Sequence, residues 1–85
     1  MIKILIADDH TIVRQGLCSL IEKTDNIELV AECSNGKDAL EAIIAITPDV
    51  AVLDISMPEI DSITLAGKLV KMNLKTRLVI LTIHH

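Results

Sequence analysis

The chain contains no Phe, Tyr or Trp, so it has no platform on which a nucleobase or a flavin ring can stack. With three Gly and two Pro in all, it shows no linker and no low-complexity segment. No GxGxxG follows the first apolar run, which argues against a dinucleotide fold. Basic residues are scarce: eight Lys and Arg stand against twelve Asp and Glu, a net charge of −4. Counterion release needs a basic patch, so this balance disfavours a nucleic-acid surface on the chain itself. No apolar run approaches the roughly 18 residues of a membrane span. The N-terminal run MIKILIADDH is broken by Asp8 and Asp9 and reads as neither a signal peptide nor an anchor. Cys18 and Cys33 have no CxxC spacing and no neighbouring His. They are expected to be two reduced, core-packed thiols of a cytoplasmic protein rather than a disulfide or a zinc site.

What remains is a folding composition. The 85 residues are 51% hydrophobic and 24% charged, with mean hydropathy +0.51, which fits one small ordered domain. Short apolar runs alternate with helical stripes. Ile2 to Ala7 is nearly continuous, as in a strand covered on both faces. Ile12, Val13, Leu17, Leu20 and Ile21 stripe a helix over Thr11 to Lys23. Thr24-Asp25-Asn26 makes a turn, and Ile27 to Cys33 alternates like a strand nearer an edge. Ser34 or Asn35 caps a second helix carrying Ala39, Leu40, Ile43 and Ile44, which Thr47-Pro48-Asp49 ends. Val50 to Leu53 is a short buried strand running into Asp54. A loop from Ile55 to Asp61 precedes a third helix, capped by Ser62 and striped by Ile63, Leu65, Ala66, Leu69 and Val70. Leu78 to Leu81 is a fourth strand ending at Thr82. The order βαβαβαβ predicts a doubly wound α/β fold with a parallel sheet and right-handed crossovers.

In such sheets ligands gather outside the C-terminal ends of the strands, where strand order reverses. Asp8 and Asp9 follow the first strand, Asp54 the third and Thr82 the fourth. If the first and third strands are neighbours, three carboxylates and a hydroxyl share one rim. Two charges about 5 Å apart at an effective dielectric near 20 repel by about 3 kcal/mol. Three such pairs rival the roughly 5–15 kcal/mol that holds a domain together. Such a cluster must take up a proton, stay hydrated or bind a cation. Among hard divalent ions Mg²⁺ suits it best, because it needs only one or two carboxylates and keeps its waters.

These residues resemble a known family. Paired acids after strand one (Asp8, Asp9), an Asp after strand three followed by Met57-Pro58, and Thr82 after strand four are similar to the receiver domain of bacterial two-component response regulators, a flavodoxin-like fold. The segment DDHTIVRQGL, with His10, Arg14, Gly16 and Leu17, resembles more narrowly the LuxR/NarL group, whose members carry a C-terminal helix-turn-helix domain. By this resemblance Asp54 is the phosphoacceptor, taking a phosphoryl group from the phosphohistidine of a sensor histidine kinase. Asp9, Asp54 and the backbone carbonyl of Ser56 would hold Mg²⁺, with Asp8 contacting the ion directly or through water. Thr82 would donate a hydrogen bond to the phosphoryl group, its inward movement turning phosphorylation into a surface change. The chain would act as a signalling module rather than as an enzyme.

The resemblance also implies that residues 1–85 are a partial receiver. The helix-strand-helix that follows Thr82 in the family, its Lys, and the DNA-binding output domain would lie outside this chain. Leu78 to Leu81 would then be an open apolar edge, predicting self-association or a dimer. Ser62 stands where the family usually has Gly. Other readings weigh each residue separately. Asp8 or Asp9 can cap the first helix, and His10 reads as an exposed residue at the helix start rather than a ligand. Arg14 reads as a solvated helix residue or part of a partner surface, and Met57 and Pro58 as shapers of the loop. Two other functions compete: a Mg²⁺-dependent phosphohydrolase with an aspartyl nucleophile, and an inactive pseudo-receiver used for dimerisation. The first wants two acids of a DxD pair, whereas Asp8 and Asp9 are adjacent.

Overall fold

The computed structural model describes residues 1–55, 57 and 59–81. The elements are β1 (Ile2–Ala7), α1 (Thr11–Glu22), β2 (Ile27–Cys33), α2 (Gly36–Ile46), β3 (Val50–Asp54), α3 (Ser62–Lys71) and β4 (Arg77–Leu81). The strands form one parallel sheet in the order β2-β1-β3-β4. The chain reverses direction across the sheet between β1 and β3. The first and third strands are therefore neighbours, with Ala7 opposite Leu53. β2 lies at an edge, as its alternating pattern predicts.

Strand β1 explains both layers. Successive side chains of a strand point to opposite faces. Leu5 and Ala7 join a core cluster with Ala39 and Ile43 of α2, Ala51 and Leu53 of β3, and Leu65 and Leu69 of α3. Ile4 and Ile6 join a smaller cluster with Cys18 of α1. Two helices thus cover one face and a single helix the other, the doubly wound arrangement.

Several expected core positions lie outside these clusters. Ile12 and Leu20 of α1 and Ile63 and Val70 of α3 are largely exposed. α3 buries only its Ser62, Leu65 and Leu69 side, and Ile63 and Val70, seven residues apart, share one flank of the helix outside that side. A stripe read from sequence spans more of a helix than its partner sheet covers. Cys33 is half-buried rather than enclosed, and both cysteines are free thiols. Burial pushes each thiol above its ordinary pKa. Ser62 is not the cap of α3: Asp61 takes that position, its carboxylate accepting from the Thr64 N–H at 2.8 Å. Asn35 caps α2 by accepting from the Asp38 N–H.

Candidate functional site

The β1 and β3 ladders set the site. Beyond Ala7 the hydrogen-bond ladder to β2 continues by one step, Asp8 N–H to the Cys33 carbonyl at 3.0 Å. This step carries Asp8 to the sheet rim while keeping it buried, 1% exposed. Asp54 ends β3, paired with Leu81, and is 4% exposed. The next residue continues the ladder to β4 through Ile55 N–H and the Leu81 carbonyl. Since β1 and β3 are adjacent and in register, the two carboxylates reach the same rim.

Asp8, Asp9, His10 and Asp54 each place a donor atom within 4.8 Å of the others. The Asp9 side chain is about one-third exposed. His10 is the N-cap residue of α1, in an extended conformation, and no side-chain hydrogen bond caps that helix. Its ring instead turns toward the acids. Nδ1 lies 3.0 Å from Asp8 Oδ1, 3.1 Å from Asp9 Oδ1 and 3.4 Å from Asp54 Oδ2. Asp8 Oδ1 also accepts from the His10 backbone N–H at 2.7 Å. The imidazole pKa is raised, chiefly by the hydrogen bond with Asp8 and further by the charges of Asp9, Asp8 and Asp54, against some desolvation.

Neighbours fix this arrangement. The Arg14 guanidinium donates from Nη1 to the Asp8 backbone carbonyl at 2.7 Å and pairs through Nε with Glu32 at 3.3 Å. Arg14 is therefore not a solvated helix residue: it ties the first turn of α1 to the end of β1. The Ser62 hydroxyl, fully buried, donates to the backbone carbonyl of Asp54. A hydroxyl at a position where Gly was expected thus anchors the loop after β3. Met57 packs into the larger core cluster, so it does more than shape that loop. Gly36, the first residue of α2, lies so close to the loop that a Cβ would stand 1.7 Å from the Ile60 carbonyl oxygen.

Of the residues singled out from the sequence, Asp8, Asp9 and Asp54 converge. Ser56 and Thr82 lie outside the described residues. His10, Arg14 and Ser62 belong to the site or its supports in ways sequence reasoning missed. Only the adjacency of His10 and Arg14 to the paired acids hinted at this.

A hard cation fits the carboxylates. Asp8 Oδ2 is buried and has no hydrogen-bond partner among the described residues, a costly state for a carboxylate oxygen unless an ion or water meets it. Together with oxygens of Asp9 and Asp54 it offers the all-oxygen donor set that Mg²⁺ takes. A hollow lined by Thr47, Pro48, Asp49, Lys75 and Arg77 lies at the opposite, N-terminal ends of the strands. None of the clustered acids borders it.

Comparison with known proteins agrees with this geometry. The family model of the response regulator receiver domain matches residues 4–85. The uncharacterized transcriptional regulatory protein YhcZ of Bacillus subtilis is 41% identical over 80 residues, 94% of this chain and 37% of YhcZ. The chain thus spans little more than a third of that relative. A DNA-binding response regulator of the LuxR family from Staphylococcus aureus superposes with a TM-score of 0.92 at 30% identity, over 96% of this chain and 68% of that one. RcsB from Salmonella enterica serovar Typhimurium, solved on promoter P1flhDC with the phosphomimetic BeF₃⁻, gives 0.86 at 26% identity, over 98% of this chain and 42% of that one. With adjacent β1 and β3 delivering paired acids and an aspartate to one rim, and with a family match over nearly its whole length, the chain belongs to the response regulator receiver domains.

Proposed function

We propose that this chain accepts a phosphoryl group from a sensor histidine kinase on Asp54, with Mg²⁺ as cofactor. In a longer cytoplasmic protein it would thereby govern transcription through a C-terminal helix-turn-helix domain. The observation that carries this reading is the meeting of Asp8, Asp9 and Asp54 at the shared rim of β1 and β3. The promoter-bound, phosphomimetic state of the structural neighbour RcsB supports the link to DNA.

Asp54 is suited to be the nucleophile. It ends a strand, its backbone is held by pairing to β4 and by the Ser62 hydroxyl, and its carboxylate faces the other acids. A carboxylate oxygen attacks phosphorus, the P–N bond of the phosphohistidine breaks, and the departing imidazole nitrogen takes the electron pair and then a proton. In-line geometry and relief of charge repulsion are what such a transfer requires. Asp8, Asp9 and Asp54, with the Ser56 carbonyl, would hold the ion, Asp8 directly or through water. When bound, the ion neutralises negative charge on the phosphoryl oxygens. Thr82 is proposed to donate to one of those oxygens.

Incubation with acetyl phosphate and Mg²⁺ is expected to add one phosphoryl group per chain, seen by intact mass, and Asp54→Asn is expected to abolish it. Repeated turnover of an aryl phosphate would instead make the chain a phosphohydrolase.

A further inference from the structure

The hollow at the N-terminal ends of the strands has a volume of about 370 Å³. Sites for small organic molecules run from about 300 to about 1,000 Å³. Its apolar lining comes from Ile2, Pro48 and Val50, of which Pro48 is fully buried. Its charged lining is uneven, with Lys75 and Arg77 against the single acid Asp49. The Asp49 carboxylate does not pair with either cation: its Oδ2 accepts from the Lys3 backbone N–H at 2.8 Å. Among the described residues neither the Lys75 ammonium nor the Arg77 guanidinium makes an ion pair or a hydrogen bond. The backbone around the hollow is fixed. The Thr76 hydroxyl donates to the Pro48 carbonyl at 2.7 Å, and the Arg77 N–H donates to the Asp49 carbonyl at 3.0 Å. Thr47 holds a left-handed conformation, φ 47°, that a β-branched residue rarely adopts. From there its N–H reaches the Ile43 carbonyl and its hydroxyl the Ile46 carbonyl. Thr47 thus closes the end of α2, and the two cations are not its caps.

We propose that this hollow is a second binding site, for a small aliphatic dianion: a phosphate monoester or a dicarboxylate with a short hydrocarbon body. A guanidinium fork and an ammonium point charge together suit an oxyanion of two charges. The aliphatic lining suits the hydrocarbon part. With no aromatic residue in the chain, a nucleobase has nothing to stack on, which sets nucleotides apart from this class. The acids at the other end of the sheet repel such a ligand, whereas the hollow carries an excess of positive charge on a chain of net charge −4. Binding here needs no divalent ion and no phosphoryl group on Asp54.

The test is a pair of titrations of the full chain, with glycerol 3-phosphate and with succinate, read by backbone amide NMR shifts. Low salt, EDTA and about pH 7.5 keep both probes largely dianionic and the acids free of metal. With at least one probe, saturable shifts are expected at Asp49, Val50, Lys75, Thr76 and Arg77, half-complete at or below about 1 mM. Saturation by one probe alone identifies the oxyanion, and saturation by both shows that charge and size suffice. Lys75→Gln with Arg77→Gln is expected to weaken binding about tenfold or more. Both side chains are exposed, so the remaining amide shifts should report an unchanged fold. Lys75→Gln alone, in the loop before β4, should already weaken it. Lys68→Gln with Lys71→Gln removes the same charge from α3 and should leave the affinity within about twofold. No saturation by either probe up to about 10 mM overturns the site. Equal weakening in the two double variants overturns it too, since the general charge of the chain would then draw the anion. Undiminished binding in Lys75→Gln with Arg77→Gln overturns the role of the two cations.

Discussion

Gly36 shows how a single residue sets the site from a distance. At the start of α2, Ala would ordinarily be favoured over Gly by up to about 1 kcal/mol. Here the new Cβ would fall 1.7 Å from the Ile60 carbonyl oxygen, a backbone atom that cannot rotate away. Overpacking of this kind costs about 1–3 kcal/mol, so the clash outweighs the helical gain. Gly36→Ala is expected to lower the urea midpoint by an amount equivalent to about 1–2 kcal/mol and to slow acetyl-phosphate labelling, since the displaced loop leads back to Asp54. An unchanged midpoint would mean that the loop does not rest on α2. At this scale the sequence was legible for Asp8, Asp9 and Asp54, because an acid at the end of an apolar run needs only the strand to be placed. It was not legible for His10, Arg14 or Ser62. Their roles depend on side-chain direction and on a contact made across the fold: the His10 ring to Asp54, the Arg14 guanidinium to the Asp8 carbonyl, the Ser62 hydroxyl to the Asp54 carbonyl.

Among the elements, the strand runs and the helix order were readable because two-sided burial of β1 and β3 needs continuous apolar sequence. The third helix was readable as a helix but not in its start or its buried side. Two adjacent residues, Asp61 and Ser62, can each cap. The carboxylate takes the Thr64 N–H, leaving the smaller hydroxyl to turn inward to Asp54. This division has a pH signature. The Asp61 pKa is held below its ordinary value of 3.8, first by the hydrogen bond from the Thr64 backbone. A depressed folded pKa means that the unfolded chain binds the proton more tightly. The stabilisation is therefore complete above the unfolded value of about 3.8 and is lost as the pH falls through the lower folded value. Thermal melts between about pH 6 and about pH 2.5 should show this loss in the parent chain. In Asp61→Asn, which retains a capping oxygen without a titrating group, the loss should be smaller. Parallel acid profiles for the two would remove the carboxylate from the cap. No such shift in helix stability is expected near neutral pH.

The whole molecule carries its least finished surface along β4. Val79 and Ile80 alternate to opposite faces of that strand and are 46% and 39% exposed. Val79 lies opposite Val52, on the face covered by α1 alone, and Ile80 opposite Leu53, on the face of α2 and α3. Neither helix layer reaches far enough to close over them. Among the described residues β4 ends the strand order, and none of their strands pairs with its outer side, which is the template for adding another strand. Ile63 and Val70 of α3 add further exposed apolar area. The 85-residue chain should therefore associate with itself as concentration rises, and its melting temperature should climb with protein concentration, because association stabilises the folded state by mass action. Placing charge on the edge tests the cause. Val79→Lys with Ile80→Lys changes two residues that are each a little under half exposed, so each should cost the monomer about 1 kcal/mol. Sedimentation should nevertheless move to the monomer, and the concentration dependence of melting should vanish. A parent chain that sediments as a monomer up to millimolar concentration, or a double variant that associates as strongly as the parent, would show that this edge is already satisfied and that association, if any, uses another surface.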